Sequence, residues 1–155
     1  FLAAFGVLLY VADRTPQHRS MGDLNLRQAI VMGVAQVLAL MPGVSRSGIT
    51  ITAGRFMGLD RDSAARFSFL LLIPTVLGAV IYEGVGNLLL GDLPPGWEGP
   101  FVVGTLAAVG SGLLAISGLL GYVRRHDYTP FVIYRLILAL IILLLIATGV
   151  RSATF

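Results

Sequence analysis

The chain has 155 residues, of which 56% are hydrophobic and 12% charged, against about 45–50% apolar and about 25% charged in a soluble domain. A fold this small leaves much of its surface exposed, so the composition excludes an ordinary cytosolic enzyme and points to a membrane. Zero Cys excludes disulfides, thiolate nucleophiles and Cys-ligated zinc, and two His leave little scope for a His-built metal site. All 11 basic residues are Arg and the net charge is +3, which in so apolar a chain sets membrane orientation; no nucleic-acid partner is expected.

The first apolar run, FLAAFGVLLYVA, is twelve residues long before Asp13, short of the roughly 20 that a spanning helix needs. Neither the basic region nor the cleavage site of a signal peptide is visible. Residues 1–12 therefore read as the tail of a spanning helix that begins upstream, and the sequence as the C-terminal part of a longer protein. The next apolar stretch, IVMGVAQVLALM, is halted by Pro42-Gly43, and ITITAGRFMG follows as another short piece. Neither can span alone, and PGVSRSG between them is rich in turn and helix-capping residues. The reading is a re-entrant helical hairpin over 28–62. Non-helical backbone at membrane depth is tolerated only inside protein or beside a water-filled cavity, so the tip should border one.

Three further stretches, 64–82, 100–123 and 131–150, are long enough to cross a bilayer of about 30 Å. Pro74 should bend the first of them. Arg66 and Arg135 are placed to snorkel from helix ends. Small residues four apart, Gly54/Gly58 and Ala108/Gly112, would let helices approach closely. There is no internal repeat or low-complexity tract, so the expected fold is a single all-α integral membrane domain over 1–155. By the positive-inside rule, Arg14, Arg19 and Arg27 mark one cytoplasmic connection and Arg124 and Arg125 another. The segment carrying Asp92 and Glu98 is then outside, with Trp97 at the outer interface and Phe155 also outside.

Gly43-Val44-Ser45-Arg46-Ser47-Gly48-Ile49-Thr50 is the cluster that carries chemistry. Gly43 and Gly48 allow the backbone to curl so that successive N–H groups face one concavity, and a helix starting near Ser47 adds its free N–H groups and positive dipole end. Arg46 supplies a permanent charge and a planar fork for two phosphate oxygens; the hydroxyls of Ser45, Ser47 and Thr50 can donate further hydrogen bonds. An intramembrane arginine is costly unless it faces a polar cavity. The bland alternative is a capped loop with a snorkelling Arg.

The run GVAQVLALMPGVSRSGITITAGRFMGLDRDSAARFSFLLLIPTVLGA closely resembles the second motif region of the bacterial undecaprenyl-diphosphate phosphatases of the bacitracin-resistance type. PGVSRSGIT fits that family's PGxSRSxxT pattern at every fixed position, and the resemblance covers essentially the whole chain. It implies an integral membrane hydrolase of the bacterial inner membrane that converts undecaprenyl diphosphate to the monophosphate carrier for cell-wall polymers. It also implies a fold of two inverted repeats, each with a re-entrant hairpin, and a site facing the periplasm, in which Ser45, Arg46, Ser47 and Thr50 line the phosphate and Gly43 and Gly48 bind through the backbone. A homodimer is compatible with it.

The family's glutamate-rich first motif, with a serine and a histidine, belongs to its N-terminal half, together with the use of a divalent cation, Mg or Ca. None of that is present here. His18 and His126 fall in loops read as cytoplasmic and solvated, and Asp60, Asp62 and Glu83 flank helices as interfacial residues. The chain therefore looks like the phosphate-gripping part without the acid, base and metal, and is expected to be inactive by itself. Two other readings remain open: half of a membrane transporter for an anionic or lipid-phosphate substrate, because broken helices meeting at the midplane also bind anions in transporters, and a structural fragment that folds only with its other half.

Overall fold

The structure is a computed structural model, and it describes residues 1–84, 96 and 98–148. Every described element is helical: α1 (Leu2–Asp13), a 3-10 turn (Met21–Asp23), α2 (Leu26–Ala35) continued by a 3-10 segment (Gln36–Leu40), α3 (Arg46–Phe56), α4 (Arg61–Gly84), α5 (Glu98–Val123) and α6 (Thr129–Ala147). The chain forms two compact units, Phe1–Ser68 with His126–Phe155, and Phe69–Arg125; α4 runs from the first into the second.

Local chemistry explains where the helices begin. Asn25 and Gln28 form a reciprocal capping box, the Asn25 side chain accepting from Gln28 N–H at 2.9 Å and the Gln28 side chain from Asn25 N–H at 3.1 Å, so α2 starts two residues earlier than the hairpin boundary read from hydropathy. Asp60 caps α4 by accepting from the Ser63 N–H at 2.7 Å and hydroxyl at 2.9 Å, which starts that helix at Arg61 rather than 64. The last helix begins at Thr129, with Pro130 in its first turn where a missing N–H costs nothing. The end expected for it, at 149–150, lies outside the described residues, as do Asp92, Trp97 and Phe155.

Among the described residues, three helices are long and apolar enough to cross a membrane: Arg61–Glu83, Gly99–Val123 and Thr129–Ala147, with mean hydropathies of 2.0, 1.9 and 2.7. Pro74 lies inside α4, which runs helical on both sides of it. The α2 and α3 arms pack against one another as a hairpin. At about 1.5 Å per residue, the ten-residue α2 and eleven-residue α3 are each about 15 Å long, half the hydrocarbon thickness. Gly54 of α3 takes the Met32 side chain of α2: a Cβ there would lie 2.9 Å from Met32 Cε. Gly58 serves differently from the small-residue contact expected of it. It ends α3 at a φ of +84°, and a Cβ would overlap the imidazole of His18. Gly112 has nothing within 4 Å of its Cβ position, so the Ala108/Gly112 pair makes no close helix contact among the described residues.

The core of the first unit lies where α1, α3 and the starts of α4 and α6 meet, around Leu9, Ala12, Ile49, Ile51, Ala65 and Val132. Its centre is charged. Asp13, 4% exposed, accepts from Arg61 through two bonds (Nε 2.7 Å, Nη2 3.1 Å) and from the Tyr128 N–H at 3.1 Å. It also faces Arg55 Nε at 3.4 Å. Arg55, 0% exposed, donates to the backbone carbonyls of Leu59, Asp13 (2.8 Å) and Thr15 (3.0 Å). The Tyr128 hydroxyl closes the cluster by donating to the Arg61 carbonyl at 3.0 Å, and its burial raises its pKa. Two cations share one carboxylate here and backbone carbonyls meet the Arg55 Nη groups, as buried charges require, while Arg55 Nε has the Asp13 carboxylate nearby but no hydrogen bond.

Candidate phosphate site at the start of helix α3

The hairpin tip is a tight turn. Met41 C=O accepts from Val44 N–H at 3.1 Å, and Gly43 takes a φ of +85°, a conformation costly for any residue with a Cβ. Helix α3 then begins with Ser45 as its N-cap: the Ser45 hydroxyl accepts from Gly48 N–H at 3.2 Å, and the Ser45 carbonyl from Ile49 N–H at 2.9 Å. The N–H groups of Arg46 and Ser47 are the first-turn donors without an intrahelical acceptor. Arg46 is exposed and Ser47 half-buried. The Ser45 and Ser47 hydroxyls lie 3.4 Å apart. The turn thus brings together Ser45, Arg46, Ser47 and two free N–H groups at the positive end of a helix, a geometry suited to an anion.

Thr50 and Gly48 take positions the sequence did not reveal. Thr50 is 0% exposed, and its hydroxyl lies 3.1 Å from the Arg46 and Ser47 carbonyls and 2.6 Å from the Ser68 hydroxyl. With protein acceptors on every side, Thr50 braces the first turn of α3 against α4. Gly48 belongs to that first turn and not to the loop, because Ser45 starts the helix earlier than hydropathy suggests. What occupies the space above it is Arg135 of α6: a Cβ at Gly48 would lie 2.5 Å from Arg135 Nη2 and 2.8 Å from Nη1. The stem of Arg135 runs past Gly6 of α1, where a Cβ would lie 3.5 Å from Arg135 Cβ. Arg135 is therefore half-buried beside α3, six residues into α6. Arg66, by contrast, sits in the second turn of α4 and pairs with Asp62 at 2.8 Å on the exposed surface.

The described residues do not fit a divalent cation. Asp13 and Asp62 are bound to arginines, Asp60 to Ser63 and Asp23 to Ser20. No group of three or more His, Asp or Glu gathers among the described residues. His18 and His126 are exposed on connecting segments. No base hydrogen-bonds the Ser45 or Ser47 hydroxyl among the described residues, so neither serine is activated as a nucleophile by this part of the molecule.

The model of the family described as Bacitracin resistance protein BacA matches residues 1–141. Among relatives, the chain is 46% identical over 153 residues to an undecaprenyl-diphosphatase of Nocardioides sp., covering 98% of this chain and 55% of that protein. It is 50% identical over 137 residues to an undecaprenyl-diphosphatase of Geobacter sulfurreducens (88% and 51% covered). A third relative of the same name, from Bifidobacterium adolescentis, is 43% identical over 159 residues (99% and 54% covered). The chain spans about half the length of these curated relatives.

Proposed function

Since the chain belongs to the family of the Bacitracin resistance protein BacA, we propose that the whole multi-pass membrane protein of which it forms part hydrolyses undecaprenyl diphosphate. Water and the lipid diphosphate give undecaprenyl phosphate and inorganic phosphate, which returns the lipid carrier to cell-wall synthesis and accompanies resistance to bacitracin. The single observation that carries this reading to particular atoms is the start of α3, where exposed Arg46 stands next to the N-cap Ser45, beside free first-turn N–H groups.

In this reading, Arg46 grips the diphosphate with two parallel N–H bonds and stays charged throughout, so it stabilises the negative charge that builds on the departing phosphate oxygen. The N–H groups of Arg46 and Ser47 and the Ser47 hydroxyl orient the phosphoryl group for in-line attack. Ser45 holds the turn, and Gly43 gives it its shape. The hairpin re-enters the membrane from the cytoplasmic side, and its tip borders a water-filled cavity open to the outer side. We place the attacking group, its base and the ligands of a divalent cation in the remainder of the whole protein.

Arg46 tests this. In the full-length protein, Arg46→Ala should lower kcat/KM for undecaprenyl diphosphate at least ten- to a hundredfold, because charge-assisted hydrogen bonds contribute about 1.5–3 kcal/mol each. Arg46→Lys, which keeps the charge and loses the fork, should fall between. Near-normal turnover of Arg46→Ala in folded protein would refute the phosphate site. Movement of the lipid across proteoliposomes without phosphate release would replace hydrolysis with transport.

A further inference from the structure

One hydrogen bond ties the first turn of α3 to a different helix. Thr50 and Ser68 of α4 are both buried, and their hydroxyl oxygens lie 2.6 Å apart. Two oxygens at that distance share a proton, and their other neighbours decide whose it is. The Thr50 oxygen also lies 3.1 Å from the Arg46 and Ser47 carbonyls, which can only accept. Ser68 has no further hydrogen-bond partner among the described residues. If Thr50 donated to Ser68, the Ser68 proton would be buried without an acceptor and the two carbonyls would face a bare oxygen. Every group is satisfied in the opposite order: Ser68 donates to Thr50, and Thr50 donates to the carbonyls. Thr50 then has no proton left for a ligand.

The carbonyls it reaches belong to the peptides that shape the turn. A trans peptide is planar, so the Arg46 C=O and the Ser47 N–H form one rigid unit and point in opposite directions. Holding the Arg46 carbonyl therefore aims the Ser47 N–H, one of the two free donors of the first turn. The Ser47 carbonyl shares its plane with the Gly48 N–H, which donates to the Ser45 hydroxyl at 3.2 Å. Thr50 clamps both planes, and Ser68 holds the Thr50 hydroxyl where it can do so.

We propose that Ser68 is a positioning residue of the phosphate site: acting from α4 through Thr50, it sets the direction of the Ser47 N–H toward the phosphoryl group. The inference rests on the reading of α3 as that site. Ser68 itself touches no substrate. Its effect falls on the step in which charge builds on the phosphoryl oxygens, where a fixed donor matters most, while Arg46 still grips the ground state.

The experiment uses the full-length protein with undecaprenyl diphosphate as substrate. Ser68→Ala should lower kcat about 3- to 10-fold, the scale of one neutral hydrogen bond, and change KM by less than about twofold. Thr50→Val, which keeps the shape without the hydroxyl, should lower kcat at least as much, and Thr50→Ser should keep it near normal. Adding Ser68→Ala to Thr50→Val should lower kcat no further, because Ser68 acts through Thr50. A bond that merely joins α3 to α4 would lower Tm and leave kcat per folded molecule unchanged, which would overturn the proposal, as would a further fall in the double variant. If Ser68→Ala does not fold, the Thr50 variants decide, and normal turnover of Thr50→Val refutes it. Arg46→Ala separates the two failures. If Arg46→Ala is inactive and Ser68→Ala turns over normally, only the positioning role is wrong; if both are normal, the α3 site is wrong as well.

Discussion

Replacing Asp13 by Asn should expose how much of the fold depends on one carboxylate. The amide keeps the shape and removes the charge, so Arg61 loses its ion pair and one of its two bonds of 2.7 and 3.1 Å, because one oxygen becomes an NH2 that cannot accept. Arg55, 0% exposed, is left as a buried cation beside a neutral group. Removing one member of a buried pair costs about 3–5 kcal/mol, chiefly through the stranded charge. On the scale of a 150–250-residue domain, in which 1 kcal/mol moves Tm by about 2–4 °C, the expected fall is roughly 6–20 °C. Thermal unfolding of the full-length protein in detergent measures it. The comparison is Asp62→Asn, whose partner Arg66 is 40% exposed, and an exposed pair contributes about 0–1 kcal/mol. Adding Arg55→Met to Asp13→Asn should recover part of the loss by removing the stranded charge. Recovery stays incomplete because the carbonyls of Leu59, Asp13 and Thr15 lose their donor. If Asp13→Asn melts no lower than Asp62→Asn, the hub does not hold the helices together.

Gly43→Ala places a Cβ 3.3 Å from Leu2 N at a φ of +85° and should cost about 1–2 kcal/mol, read as a lower Tm; an unchanged Tm would show that the turn relaxes freely. Asp23 is held below its ordinary value of 3.8 by the backbone N–H of Ser20 and then by its hydroxyl. A carboxyl with a depressed folded pKa stabilises the fold above its unfolded pKa, and that contribution is lost as pH falls through the folded value. Asp23→Asn should therefore flatten the acid limb of stability below about pH 4, which a pH series of melting curves detects. Cysteines placed at Gly91, outside the described residues, and at Arg125, in a Cys-free full-length background, should react with an impermeant thiol reagent from opposite sides, Gly91 from outside. Labelling of both from one side would reverse the orientation.

Hydropathy revealed the apolar helices and the two short arms, because segment length against membrane thickness is a property of consecutive residues. Pro42 and Gly43 marked the hairpin turn for the same reason, since turn chemistry is local. The charged hub escaped notice. Asp13 read as the end of an apolar run and Arg55 as part of a short helix, and their partners lie 42, 48 and 115 residues away. An arginine flanked by ITITAG and FMG was the available signal, as a cation there needs a buried acceptor. The motif's arginine and serines were legible as a cluster, while the division of labour within it was not. Thr50 is a donor in any sequence pattern, and its inward rotation follows from Ser68 on the next helix. Arg135 posed the opposite difficulty: its place along α6 could be read, but the glycine facing it is 87 positions earlier in the chain.

The bond from Tyr128 N–H to Asp13 also sets an order of events during synthesis. The two arginines that meet Asp13 follow it within 48 residues, so α1, α3 and the start of α4 can pair their charges as soon as those helices reach the bilayer. The third donor arrives 115 residues after Asp13, when α5 has already been made. Contacts of such sequence separation form late and slowly. Until α6 inserts, the Asp13 carboxylate lacks one of its donors, and Gly48 has no guanidinium over it. A chain stopped short of Tyr128 would thus carry the turn before α3 in an unfinished state.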